Sequence, residues 1–324
     1  MRAHEVNFAS SGATLVGAWY TPPESARHPA VVLVHGAGAM DRSGPGGYLT
    51  ETAAYFVSRG FAVLSYDKRG TGASSGDWRT MSFADLASDV AAAVRYVRSR
   101  DDVDAGSVGL WGISQAGWVL PLAAQSASPE FVIAVSAAGT GVTPAEQNMY
   151  DIGHQARAAR LDEKQRDSVL SAWRALYALV RSDRGPDAEA GFRRARDAAS
   201  TIPGAGPMLP PPAGGIRWTQ RDQWFLALDL DYDAVSAWAA LDIPVLAIYG
   251  SADVSTPTDR VVARFRQDVA REGSDASIAV IDGGSHVLTD DRVGSTRLLA
   301  EYTSVMDTWL TAQAYRLPRQ PHAR

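Results

Sequence analysis

Residues 107–117 read Ser-Val-Gly-Leu-Trp-Gly-Ile-Ser-Gln-Ala-Gly, a short apolar run, a small-residue turn and then a segment with helical periodicity (Leu120, Leu122, Ala124). A serine on a sharp strand-to-helix turn points its hydroxyl clear of the sheet, the placement a nucleophile needs. The turn crowds its own backbone, so the positions two before and two after Ser114 must be small. They are Gly112 and Ala116, a departure from strict Gly-x-Ser-x-Gly in which the Ala116 methyl is a tolerable substitute, while Gly117 permits close packing of the helix. A glycine- and serine-rich turn without chemistry has the same composition; the strand-turn-helix context favours the nucleophile.

Acyl transfer also needs N–H donors aimed at the developing oxyanion. His35-Gly36-Ala37-Gly38 follows the run Ala30–Val34, and a glycine-rich loop at a strand end brings its backbone close because no side chain intervenes. Ala37 and Gln115, the residue after the serine, are the expected donors, although an ordinary strand-to-helix turn has similar residues. His35 is expected to anchor this loop rather than act as a base. Of the six histidines, His4, His28, His154 and His322 fall on a strand, a proline-flanked loop, the middle insertion and the tail. His286 differs: it follows the last apolar run in Asp282-Gly283-Gly284-Ser285-His286, at the carboxyl edge of the sheet where such folds assemble sites. It is the candidate base. Asp253, in Gly250-Ser251-Ala252-Asp253 after the run 244–249, is the candidate acid that orients the imidazole. A helix-capping role for Asp253 is the alternative, with Thr256 able to cap in its place. Asp229, Asp231, Asp233 and Asp282 are rival acids.

The chain order Ser114, Asp253, His286 is that of α/β-hydrolases. Over residues 30–136 and 242–310 the sequence resembles that superfamily. Val34-His35-Gly36-Ala37-Gly38-Ala39-Met40-Asp41-Arg42 and Tyr66-Asp67-Lys68-Arg69-Gly70-Thr71-Gly72-Ala73-Ser74 resemble a subgroup of carboxylesterases and acyl hydrolases. The resemblance implies a two-step acyl transfer through Ser114 with no metal or cofactor. It also implies that the 66–74 turn braces the oxyanion loop and takes no chemical step. A serine at the turn argues against dehalogenase and epoxide hydrolase chemistry, which need a carboxylate there.

The elements that must position these groups follow from the pattern. Runs at 30–34, 61–66, 107–111, 131–136, 244–249 and 277–281 read as strands buried on both faces, after an opening hairpin (4–8 and 13–20). Helical segments at about 48–59, 83–100, 115–127, 257–272 and 295–314 alternate with them, which predicts an α/β fold with a mostly parallel, doubly wound sheet. From 141 to 238 there is no buried-strand run. Residues 144–182 and 186–200 favour helix, and the Gly/Pro-rich stretches at 202–207 and 210–215 exclude regular structure. The expected organisation is a core of 1–140 and 239–324 with a mainly helical cap, 141–238, laid over the sheet edge.

With 324 residues and no cysteine, disulfides and thiolate chemistry are excluded. A net charge of −5 with mixed signs gives no basic stripe for nucleic acid. The amino terminus lacks the apolar core of a signal peptide, and no run approaches the ~20 apolar residues of a membrane span, so a cytoplasmic location is expected. The expected partner is a small ester-type substrate; self-association as a homodimer is left open. Trp118, Tyr150, Trp218, Trp224 and Phe225 are candidate pocket walls, with packing of the cap onto the sheet as the alternative for each. An ester is the first choice of substrate, a thioester or lactone next, and a peptide less so. An acyltransferase, a lyase or cyclase using the same triad, and a binding protein on this scaffold remain alternatives.

Overall fold

In the computed structural model, which describes residues 1–24, 26–182, 184–216, 229–290 and 296–313, the apolar runs become the strands of one sheet. The strands are β1 (Arg2–Ser10), β2 (Ala13–Thr21), β3 (His28–Val34), β4 (Ala62–Tyr66), β5 (Val103–Ile113), β6 (Val132–Val135), β7 (Val245–Gly250) and β8 (Ala276–Ile281). They lie in the order β1-β2-β4-β3-β5-β6-β7-β8. The β1–β2 and β2–β4 pairs are antiparallel and the other five are parallel. The sheet is therefore mostly parallel, and it has the α/β-hydrolase architecture.

Helices cover both faces, which is why β3 carries no polar side chain from Ala30 onward. Alternate residues of β3 point to opposite layers. Ala30, Val32 and Val34 pack with α2 (Phe83–Arg98), α3 (Ala116–Ala127), α7 (Val235–Ala239) and α8 (Thr258–Asp268). Val31 and Leu33 pack with α1 (Tyr48–Val57) and α9 (Ala300–Ala312). The strand β5 extends back to Val103, through the exposed, polar stretch Asp104–Gly106 that the apolar pattern does not mark.

The stretch 144–182 is not one helix but two. Between α4 (Pro144–Ala158) and α5 (Glu163–Arg181) the chain turns at Arg160 (φ 59°), and Asp162 opens α5 with a reciprocal capping box to Gln165. With α6 (Pro186–Ser200) these helices bury a core of their own around Val169, Trp173, Leu176, Phe192 and Met208. The following Gly/Pro-rich stretch holds two single 3-10 turns, Gly206–Met208 and Ala213–Gly215. Trp218, Trp224 and Phe225 lie outside the described residues.

The insertion is tied to the rest of the chain at several points. The Trp238 indole donates to the Gly117 carbonyl at 2.8 Å, and the Ala234 N–H donates to Gly139 O at 2.9 Å. Arg260 pairs with Glu146 at 2.7 Å, and the Tyr150 hydroxyl donates to the carbonyl of Asp253 at 3.4 Å. The last two contacts hold α4 against α8 and the loop after β7, and the first two hold the α7 region against α3 and the turn after β6.

Candidate active site

Ser114 sits between β5 and α3 with φ 57°, a left-handed conformation that a serine adopts only where its surroundings enforce it. Two glycines make room for the turn. A Cβ on Gly112 would lie 2.7 Å from the Ala116 methyl, and one on Gly117 would lie 1.6 Å from the Ala138 carbonyl oxygen. The Ser114 N–H donates to Val135 O at 3.0 Å and its carbonyl accepts from Gly117 N–H at 2.9 Å, so both ends of the turn are pinned.

Asp253 lies on the loop after β7 with its side chain fully buried. Its Oδ1 accepts from the N–H groups of Ser255 (2.8 Å) and Thr256 (2.9 Å), and its Oδ2 accepts from Nδ1 of His286 at 2.8 Å. The carboxylate thus has one oxygen fixed by backbone and the other committed to the imidazole. The rival acids are engaged elsewhere: Asp231 pairs with Arg181, Asp233 accepts from Gly141 and Val235 N–H, Asp229 accepts from Phe83 N–H, and Asp282 accepts from the Ser251 hydroxyl.

Ser114 and His286 line one cavity of about 540 Å³ together with Gly36, Ala37, Met40 and Tyr48. The two side chains share its wall without a hydrogen bond closed between them, a contact that tightens in many sites only with substrate bound. Among the described residues the N–H groups of Ala37 and Gln115 donate to no protein acceptor. His35 is buried, with Nε2 on the carbonyl of Tyr66; burial, aided by the nearby Lys68 charge, pushes its pKa down to about 3. It is held neutral and anchors the loop.

The aromatic residues distribute differently from the expected pocket. Trp118 is fully buried, stacked on Phe83 at 5.4 Å between centroids, with its indole N–H on Val142 O. It packs α3 against α2 because it stands one helical turn past Ser114, on the inward face. Tyr150 lies tilted against His154, 4.5 Å between ring centroids, and reaches the Asp253 loop; it is not a wall of the cavity. The walls that sequence reasoning missed, Met40, Pro45, Tyr48, Val287, Thr289 and Thr296, converge from two segments far apart in the chain, the stretch leading into α1 with the first residue of that helix and the region after β8. Only their proximity to the 36–38 and 286 segments could have marked them.

A sequence model of the X-Pro dipeptidyl-peptidase (S15) family matches residues 11–287. The chain belongs to this family. S15 members are α/β-hydrolases, and the match takes in the serine turn, the Asp253 loop and His286. Among curated proteins, the quorum-quenching protein AidA of Acinetobacter baumannii is 34% identical over 114 residues, 35% of this S15 chain and 36% of AidA. Polyketide transferase claH of Penicillium crustosum is 32% identical over 124 residues, 38% of this chain and 39% of that protein. The chain thus spans little more than a third of the length of the curated relatives it matches. Among solved structures, the α/β hydrolase GrgF from Penicillium sp. sh18 superposes with a TM-score of 0.59 at 20% identity, covering 96% of this chain and 97% of that one.

Proposed function

We propose that the protein is a serine hydrolase that cleaves a small carboxylic ester, thioester or lactone through an acyl-enzyme on Ser114. The observation that carries this reading is the buried Asp253 carboxylate on Nδ1 of His286, beside a left-handed Ser114 in the same cavity. Asp253 fixes the tautomer in which Nδ1 carries hydrogen, leaving Nε2 to take the serine proton. Ser114 Oγ then attacks the carbonyl carbon. The oxyanion is held by the N–H groups of Ala37 and Gln115, which are otherwise unspent. His286 passes the proton to the leaving alkoxide, and in the second step it activates water on the acyl-enzyme.

The cavity supports an ester over a peptide. Among its described lining residues Met40, Pro45, Tyr48, Ile113 and Val287 are apolar and none carries a carboxylate to hold an amino terminus. Its size suits an apolar acyl or alcohol group. The helical segment 141–238 is read as a cap over the carboxyl edge of the sheet, supported by the contact of Tyr150 with the Asp253 loop. Acyl transfer to an acceptor other than water is the second reading, because a polyketide transferase is among the relatives.

Hydrolysis of p-nitrophenyl acetate, butyrate and octanoate by wild type and Ser114→Ala tests the proposal, with a p-nitroanilide of an X-Pro dipeptide alongside. Ester turnover lost by about 10⁶-fold in the variant is expected. Turnover only of the dipeptide anilide, or ester turnover retained above a percent without Ser114, would refute it. Stimulation by added alcohol or amine, with the acyl product appearing on it, would select the transferase reading.

A further inference from the structure

Lys68 is buried, and among the described residues no carboxylate pairs with it. Its Nζ donates to the Gly36 carbonyl at 2.6 Å, to the Gly38 carbonyl at 2.8 Å and to Oε1 of Gln115 at 3.3 Å. The Trp78 ring lies 5.7 Å from it. Three acceptors match the three protons of an ammonium group, one more than a neutral amine can satisfy. Its charged neighbours have other partners: Asp67 accepts from Arg42, and Asp89 accepts from Arg69.

One of those three bonds has a consequence for chemistry. The peptide joining Gly36 to Ala37 is trans, so its carbonyl and its N–H point in opposite directions. The carbonyl faces the Lys68 ammonium, and the N–H on the other side has no protein acceptor. A cation on the oxygen of an amide withdraws charge through it and strengthens the N–H as a donor. The bonds to Gly38 and to the Gln115 side chain tie the loop to the serine turn, fixing the spacing of the two donor segments.

We propose that Lys68 is a positioning residue for the oxyanion site, polarising the Gly36–Ala37 peptide and locking that loop to the Gln115 turn. The inference rests on the acyl-transfer reading and goes beyond a structural brace, because it assigns the ammonium charge an effect on the transition state. No bond to substrate is made by Lys68 itself.

The charge state gives the proposal a signature. Burial lowers the Lys68 pKa from its usual range to about 7. The titratable and charged groups around it are His35 just after β3, Tyr66 at the end of β4, whose pKa burial raises, Asp41 and Arg42 on the oxyanion loop, Asp67 and Arg69 beside it, and Asp89 on α2. His35, its pKa pushed down by burial to about 3, stays neutral over the working range. Rising pH therefore removes the Lys68 proton and leaves two donors for three acceptors. The kcat of wild type should fall on the alkaline side for this reason.

The test compares wild type, Lys68→Met and Lys68→Arg for kcat and KM on p-nitrophenyl butyrate between pH 6 and 9.5, with thermal unfolding as a check on the fold. Lys68→Met is expected to lose about 30-fold in kcat, less than removal of a whole oxyanion donor, with KM changed by less than about threefold. Its alkaline limb should vanish. Lys68→Arg should recover part of the rate and hold it to higher pH, since a guanidinium keeps its proton. A folded Lys68→Met with wild-type kcat and an unchanged pH profile would overturn the proposal. Should Lys68→Met fail to fold, a wild-type kcat that stays flat from pH 7 to 9.5 overturns it. A wild type that neither turns over esters nor takes a fluorophosphonate label would overturn the acyl-transfer reading itself, an outcome distinct from the other two.

Discussion

Replacing Asp253 by Asn changes one atom, and the surroundings decide where that atom goes. Oδ1 accepts two backbone N–H groups, from Ser255 at 2.8 Å and Thr256 at 2.9 Å. An amide nitrogen there would set donor against donor twice, so the Asn oxygen keeps that place and its NH₂ turns toward His286. Nδ1 must then accept a hydrogen bond, which moves the ring hydrogen to Nε2, the nitrogen that should take the Ser114 proton. The base is lost while the fold is kept. The cost expected is about 10⁴-fold in kcat, or about 5.4 kcal/mol of transition-state stabilisation. Steady-state kcat on p-nitrophenyl butyrate measures it, and thermal unfolding within a few degrees of wild type shows that the fold is intact. A folded Asp253→Asn enzyme within tenfold of wild type would refute this reasoning. Orientation of the imidazole would then have to come from Asp282, or from Asp151 on α4, whose pKa is raised by burial and which lies within the electrostatic influence of His286.

Three further outcomes are expected. Gly117→Ala places a methyl on the Ala138 carbonyl, a backbone atom that cannot step aside, and should cost more than about 3 kcal/mol in urea unfolding; an unchanged midpoint would contradict the close approach. Met40→Trp fills part of the 540 Å³ cavity and should lower kcat/KM for octanoate at least tenfold relative to acetate; an unaltered chain-length profile would place the acyl group elsewhere. His35, with its pKa pushed down to about 3, binds its proton near pH 6.5 only when the chain unfolds. Between those values the unfolded state carries the extra proton, so stability is full above about pH 6.5 and falls as pH falls, by up to ~1.4 kcal/mol per pH unit. His35→Gln should remove that part of the slope in urea titrations at pH 5 and 7, and identical slopes would contradict it.

How much of this was legible in the sequence depended on what each element buries. Ala30–Val34 and 131–135 are buried on both sides by helices, so their apolar runs announce strands without ambiguity. The first half of β5 is exposed and polar, so only its apolar end was visible. The break between α4 and α5 had a signal, the Asp162…Gln165 capping box, hidden inside a continuous helix-favouring composition. The serine turn was legible because steric crowding restricts which residues fit around it. Trp118 was not: a tryptophan one turn past Ser114 can face the cavity or the core, and only the packing of α3 on α2 selects the core. Met40 and Thr296 come from loops, and Tyr48 from the first turn of α1, with no local pattern that marks a pocket. Lys68 stood in a motif read as a turn, and its contact with the Gly36 carbonyl joins residues 32 apart.

The central claim is that Ser114, activated by His286, forms a covalent acyl-enzyme. The most direct measurement is intact-mass and peptide-mapping analysis after treatment with a fluorophosphonate. One adduct per chain on the peptide carrying Ser114, absent in Ser114→Ala and strongly slowed in a His286 variant, is the result the account predicts. A wild type that remains unmodified, or an adduct on a different residue, would contradict it.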